Sequence, residues 1–172
     1  NSRRILVVGV YPQSLLNFRG QLLKKLVAHG FEAHACSAPA STNVVQNLHT
    51  LGVEHHAVPF CRTGLNPVSD FRSLSSLRNL YRQIVPDIIF LYTVKPVIYG
   101  SLAARGLNAE VYSLITGVGY AFTTSGPKQY ILAKIIKYLY KIAFARNKTV
   151  IFQNPDDLDL FASLRLIDND LE

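Results

Sequence analysis

Hydrophobic and polar positions alternate along the chain between two periods. Six short β-type runs recur, at Arg4 to Val10, Phe31 to Ser37, Val53 to Pro59, Asp87 to Tyr92, Glu110 to Ile115 and Thr149 to Phe152. The first (RILVVGV) and fourth (DIIFLY) are apolar almost throughout, as strands buried on both faces of a parallel sheet must be. Between them lie stretches with helical spacing. Leu15 to His29 is closed by Gly30, and Thr42 to Leu51 is stopped by Gly52. A third helix is expected from Asp70, read as its cap, to about Ile84. A fourth is expected from Lys95-Pro96 to about Arg105, then Pro127 to Arg146, and last Asp156 to Leu164 behind Asn154-Pro155. This alternation predicts an α/β fold, a doubly wound Rossmann-like parallel sheet of six strands with helices on both faces and strand order 3-2-1-4-5-6. Ligands of such sheets sit off the carboxyl ends of the strands, near the switch between strands one and four.

Composition narrows the class. With 172 residues, 49% hydrophobic and 17% charged, the chain is sized for a single domain with a real core, taken here as residues 1–172. No apolar run approaches the ~18–20 residues of a spanning helix. The run Ile5 to Val10 is too short for a signal peptide. Cys36 and Cys61 are too few for a disulfide framework or a zinc site of their own, so reduced thiols and a cytoplasmic setting are expected. The chain lacks methionine and ends Asp170-Leu171-Glu172, which suggests a domain excised from a longer protein.

Charge is unevenly placed. The net charge is +7, yet residues 156–172 hold six acids against Arg165 alone, leaving the first 155 residues strongly basic. Such a field favours anionic partners.

Several chemistries fail on spacing. After strand one the chain reads Gly9-Val10-Tyr11-Pro12-Gln13-Ser14, not a G-x-G-x-x-G dinucleotide turn, and strand two ends without an acid for a ribose. No P-loop occurs. Histidines 29, 34, 49, 55 and 56 show no metal-ligand spacing along the chain, and His55 and His56 point to opposite faces of a strand. No recognition helix or aromatic platform supports nucleic-acid binding. The loops on the expected site edge are more informative. Phe18-Arg19-Gly20 falls early in the first helix region, while Arg62 and Asn66, Tyr92 to Lys95, Thr116 to Tyr120 and Gln153-Asn154 follow strand ends there. Arginine, lysine, glycine-rich backbone and amides are groups that meet phosphates and sugars.

The stretch Pro127 to Arg146 contains no acid. Ile131, Ile135, Tyr138, Ile142 and Ala145 follow one apolar stripe, which Leu132, Ile136, Leu139 and Ala143 widen, and Lys128, Lys134, Lys137 and Lys141 supply positive charge. A basic amphipathic helix with interleaved tyrosines suits an anionic bilayer surface.

At Asn17 to Gly20, Leu26 to Glu32, Arg62 to Pro67, Pro86 to Ile89, Tyr92 to Pro96, Thr116 to Tyr120 and Phe152 to Asp157, the chain resembles the N-terminal domain of GT-B glycosyltransferases of family GT4. It is most similar to bacterial enzymes of capsule, O-antigen, lipopolysaccharide and lipid-linked oligosaccharide assembly. The resemblance implies the acceptor-binding half of a retaining enzyme that moves a sugar from a nucleotide-sugar, UDP-linked, to a polyprenyl-diphosphate-linked glycan. It places Arg19, Gly20 and Lys95 on the donor-diphosphate side. Arg62, Asn66, Thr116, Gly117, Gly119, Tyr120 and Asn154 fall on the acceptor side. It implies no metal and no other cofactor, and a peripheral position on the inner face of the plasma membrane.

Two departures qualify it. Thr116 stands where some relatives carry a glutamate or histidine, and threonine is a poor general base, so no catalytic residue is assigned. The C-terminal domain that binds the nucleotide-sugar through an E-x₇-E type motif is absent from this sequence, so the chain alone is expected to be inactive. A non-catalytic, membrane-associated subunit that recruits a separate catalytic chain is the alternative.

Overall fold

The computed structural model describes residues 2–61, 66–117 and 127–167. Six parallel strands form one sheet: β1 (Arg4–Val8), β2 (Glu32–Ser37), β3 (Val53–Ala57), β4 (Ile88–Tyr92), β5 (Glu110–Ile115) and β6 (Thr149–Phe152). Their order is β3-β2-β1-β4-β5-β6, as the alternation predicts. Chain direction along the sheet reverses between β1 and β4, which makes that junction the switch point.

Successive side chains of β1 enter two separate cores. Leu6 and Val8 pack with Cys36, Ile89 and Leu91 under α4 (Pro67–Ile84) and α6 (Pro127–Phe144). Ile5 and Val7 pack with Ala33 and Ala35 under α1 (Pro12–Asn17), α2 (Gly20–Ala28) and α3 (Thr42–Thr50). This two-faced burial is why the strand reads as continuously apolar. The last helix, α7 (Pro155–Ser163), adds Phe161, which stacks edge-on against Tyr140 of α6 (5.1 Å) and Phe152 of β6 (5.3 Å).

Three expectations need correction. The first helical region is two helices, not one: α1 begins at Pro12, and the ladder stops at Phe18, whose N–H bonds Ser14 O, before restarting at Gly20. Asn17 and Gly20 are weak helix formers that make the break cheap. Asp70 does not cap α4. Asn66 does, its side-chain oxygen accepting from the N–H groups of Val68 (3.1 Å) and Ser69 (3.3 Å) ahead of Pro67. The helix expected from Lys95 to Arg105 is a π-helical turn, Pro96–Gly100, that tightens into the short α5 (Ser101–Ala103). In α6 the stripe through Ile136, Tyr140 and Ala143 is buried, while Ile131, Ile135 and Tyr138 are exposed. The aromatic cluster around Tyr140 decides that rotation, because it fills the space over β6 that isoleucines would leave loose.

Gly100 ends the π turn in a space that admits no side chain. A Cβ there would lie 2.6 Å from Leu91 Cδ2 and 3.0 Å from the Tyr81 hydroxyl, both fully buried. Gly100→Ala is expected to cost about 1–3 kcal/mol, read as a lowered urea midpoint at unchanged slope.

Candidate functional site

The chain leaves β1 through Gly9, Val10 and Tyr11 and turns into α1. Tyr92, the last residue of β4, lies against Gly9 so closely that a Cβ on the glycine would fall 2.1 Å from Tyr92 Cζ. The tyrosine ring therefore reaches across to α1, where its hydroxyl meets Ser14 Oγ at 2.7 Å. The Arg19 guanidinium sits 4.9 Å from the centre of the same ring, a cation–π distance. Burial raises the Tyr92 phenol above its usual pKa, although the Ser14 hydrogen bond and the nearby Arg19 charge act against it. The phenol is thus neutral and able to donate.

These residues wall a cleft of about 330 Å³ lined by Tyr11, Ser14, Phe18, Arg19, Tyr92, Thr93, Thr116 and Gln153. Four strands contribute from their carboxyl ends. Two polar atoms of the lining are buried without a hydrogen-bond partner among the described residues, Arg19 Nε and Thr93 Oγ1. Leaving such groups unpaired costs about 1–3 kcal/mol each, more for a charged one. Thr93 also has φ +68°, a left-handed conformation that a β-branched residue rarely takes. Strain of that kind persists where surrounding structure imposes it, and it gathers at ligand sites. The π turn follows directly. Among the described residues the lining offers one guanidinium, hydroxyls and an amide, and no carboxylate. These groups can hold an anion or a sugar, and none of them is a general base.

The sequence-expected residues divide. Arg19 and Thr116 line the cleft. Gly20 opens α2 beside Arg19, and Gly117 follows Thr116 at φ +141°. Lys95 lies elsewhere: its ammonium is 2.8 Å from Asp70 Oδ1, with side-chain exposures of 12% and 7%. Asp70 also accepts from the Asn66 N–H (3.2 Å) and from Tyr99, whose phenol pKa the carboxylate and burial raise. Lys95 thus fixes the start of α4 and lies outside the cleft. Asn66 and Asn154 each cap a helix, the latter accepting from the Asp156 N–H at 2.9 Å. Arg62, Gly119 and Tyr120 fall outside the described residues, as does the Lys128 side chain. Tyr11 and Ser14 join the cleft although nothing in their spacing singles them out. Their signal is only their place between β1 and Arg19.

Histidines that lack ligand spacing along the chain come together across the sheet. Strand pairing sets His34 beside Glu54, and His34, Glu54 and His56 place potential ligand atoms within 4.8 Å of one another.

A glycosyl transferase 4-like family profile matches residues 14–154, and the chain belongs to that family. A curated relative from Campylobacter jejuni, N,N'-diacetylbacillosaminyl-diphospho-undecaprenol alpha-1,3-N-acetylgalactosaminyltransferase, is 25% identical over 91% of this chain. The chain spans 41% of that relative's length. Among solved structures, MurG of Acinetobacter baumannii superposes with TM-score 0.59 at 14% identity, over 91% of this chain and 42% of its own. Sucrose-phosphate synthase of Thermosynechococcus elongatus superposes with TM-score 0.67 at 10% identity, over 94% and 45%. The fold is the Rossmann-like domain of the GT-B glycosyltransferases.

Removing one partner of a buried ion pair strands the other charge. Lys95→Ala is expected to lower stability by about 3–5 kcal/mol. The Lys95→Ala/Asp70→Ala pair should lose less than the two single changes added together, measured by urea unfolding.

Proposed function

We propose that this chain is the N-terminal, acceptor-side domain of a retaining glycosyltransferase, which moves a sugar from a UDP-sugar to a polyprenyl-diphosphate-linked glycan during bacterial surface-polysaccharide assembly. The observation that carries the reading is the switch-point cleft, where Arg19 is stacked on Tyr92 with its Nε unpaired. A diphosphate oxygen would satisfy that group, and the start of α2 at Gly20 adds backbone donors beside it. The hydroxyls of Thr93 and Thr116 and the Gln153 amide suit the adjoining sugar. The described lining residues carry no carboxylate, and binding and orientation are their part in the reaction. The nucleotide-sugar is held by a further C-terminal domain, and no resident metal is needed. Lys95 acts through Asp70 on Asn66 at the start of α4.

The acceptor's lipid brings the domain to the inner face of the plasma membrane. Support comes from α6, which exposes Tyr130, Ile131, Ile135 and Tyr138 together with Lys134 and Lys141, with Lys137 half-buried beside them. Lys134 sits 4.5 Å over the Tyr130 ring. The exposed Phe71 of α4 joins Leu74, Ile131, Leu132, Ile135 and Leu139 in lining a groove of about 560 Å³, and Val68 of the same helix is also exposed. Apolar side chains rimmed by lysines match acyl chains beneath anionic headgroups.

In the native-length protein, Arg19→Ala should lower kcat/KM for sugar transfer to a polyprenyl-diphosphate acceptor by about 10²-fold or more, the scale of one lost charge-directed donor. An unchanged rate would remove the cleft from the reaction. Transfer appearing only on adding a second chain would favour the recruiting-subunit alternative.

Co-sedimentation with vesicles tests the surface separately. Binding to anionic vesicles should exceed binding to neutral ones, and a Lys134→Glu/Lys137→Glu/Lys141→Glu variant should abolish the difference.

A further inference from the structure

On the α4 face of the sheet, away from the cleft, two Glu-x-His segments run side by side: Glu32-Ala33-His34 in β2 and Glu54-His55-His56 in β3. The parallel register pairs His34 with Glu54 and Cys36 with His56. His34 is buried to 7% side-chain exposure, and His56 to 19%. His34 Nδ1 lies 3.0 Å from His56 Nε2 and 3.6 Å from Glu54 Oε2, and His56 Nε2 lies 3.9 Å from Glu54 Oε1. The far nitrogen of His34, Nε2, donates to Glu32 Oε1 at 3.3 Å. Glu32 is held in turn by Arg4 Nε at 3.2 Å.

We propose that His34, His56 and Glu54 form a binding site for a divalent transition metal of zinc type, which clips β2 to β3. The argument is one of donor set and spacing. Two imidazoles and a carboxylate suit zinc, cobalt and nickel rather than calcium or magnesium. With metal–nitrogen bonds of ~2.0–2.1 Å and tetrahedral angles, two ligating nitrogens stand about 3.3 Å apart, close to the separation of His34 Nδ1 and His56 Nε2. Glu32 occupies the position of an outer carboxylate. By accepting the Nε2–H of His34 it leaves Nδ1 bare and turned toward His56 and Glu54, the tautomer that a ligating histidine needs. Glu54 is 69% exposed and can swing without disturbing the core, which gives the ion a way in and leaves a fourth position for water. None of the four residues lines the cleft of Arg19 and Tyr92, so the site stands apart from sugar transfer.

The test is titration of the tag-free 172-residue chain with Co²⁺ alone, followed by visible absorption, and with Zn²⁺ alone, followed by calorimetry and thermal unfolding. One Co²⁺ per chain with strong tetrahedral ligand-field bands, displaced by Zn²⁺, is the expected result. Glu54→Gln alters an exposed side chain and should fold normally while weakening Zn²⁺ binding at least about 10-fold. Glu32→Gln should weaken it by about 10–100-fold, and His56→Gln should abolish the bands and the zinc-dependent rise in unfolding temperature. Absence of saturable binding at sub-millimolar Co²⁺, or bands unchanged in Glu54→Gln and His56→Gln, would overturn the assignment and leave a hydrogen-bonded histidine pair.

Discussion

The contact on which the cleft depends is between a residue without a side chain and one of the largest. Tyr92 at the end of β4 lies over the bare Cα of Gly9 at the end of β1, in space where even a methyl group would overlap the ring. At this switch point the loops diverge to opposite faces, and a parallel sheet ordinarily leaves a crevice there. Gly9 lets one tyrosine floor that crevice. From that position its hydroxyl ties down α1 through Ser14, and its face seats the guanidinium of Arg19. The break between α1 and α2 has a function in this light. An unbroken helix from Leu15 onward would carry Arg19 past the ring. The left-handed Thr93 and the π turn after it are the other side of the same arrangement, since the chain must bend sharply once Tyr92 is committed across the sheet.

The basic composition means less as a whole than in its parts. Many cations are taken up by partners within the chain. Arg4 bonds the Ile84 carbonyl, Arg105 the Ile142 carbonyl and Arg146 the carbonyls of Leu107 and Ala109, while Lys95 and Lys148 pair with Asp70 and Glu110. Such arginines on backbone carbonyls are structural fastenings. Others stay in solvent, Lys24 and Lys25 on α2 and Arg72, Arg78 and Arg82 on α4 among them, while Arg19 lies in the cleft and the lysines of α6 stand beside its exposed tyrosines and isoleucines. Net charge alone would not have separated these uses.

The sheet was legible because its signal is local and repeated. β5 and β6 have the bounds that their apolar runs imply, and the strand order follows from right-handed crossovers. Thr116 could be named because it stands directly after β5 at the expected edge, and Arg19 because it is a cation early in the helical region that follows β1. The remainder depends on tertiary choice. Asp70 reads as a helix cap until the chain folds and brings Lys95 and Tyr99 onto it from 25 or more residues away. Both stripes of α6 are apolar, so a helical wheel cannot say which one is buried. Tyr140 wins because Phe144, Phe152 and Phe161 are there to receive it. The histidines carry no ligand spacing along the chain because their spacing runs across it. His34 and His56 are 22 residues apart and become neighbours only through strand register.

That register gives the histidine cluster a structural meaning. β3 is an outer strand of the sheet, with Glu54, His55, His56 and Ala57 all at least partly open to solvent, and such a strand has little hydrophobic burial to hold its alignment. A slip of one residue would turn every side chain to the opposite face. It would bring His55 against His34 and move His56 to the face where Ser37 now bonds His55 at 2.8 Å. The line from Arg4 through Glu32, His34 and His56 to Glu54 spans three strands and closes only in the native alignment. A cation bridging His34, His56 and Glu54 would reinforce that one alignment against its alternatives. It would act on the edge of the sheet while the cleft at β1 and β4 keeps its own geometry. The polar seam therefore supplies at β3 the alignment that apolar packing supplies to the strands further in.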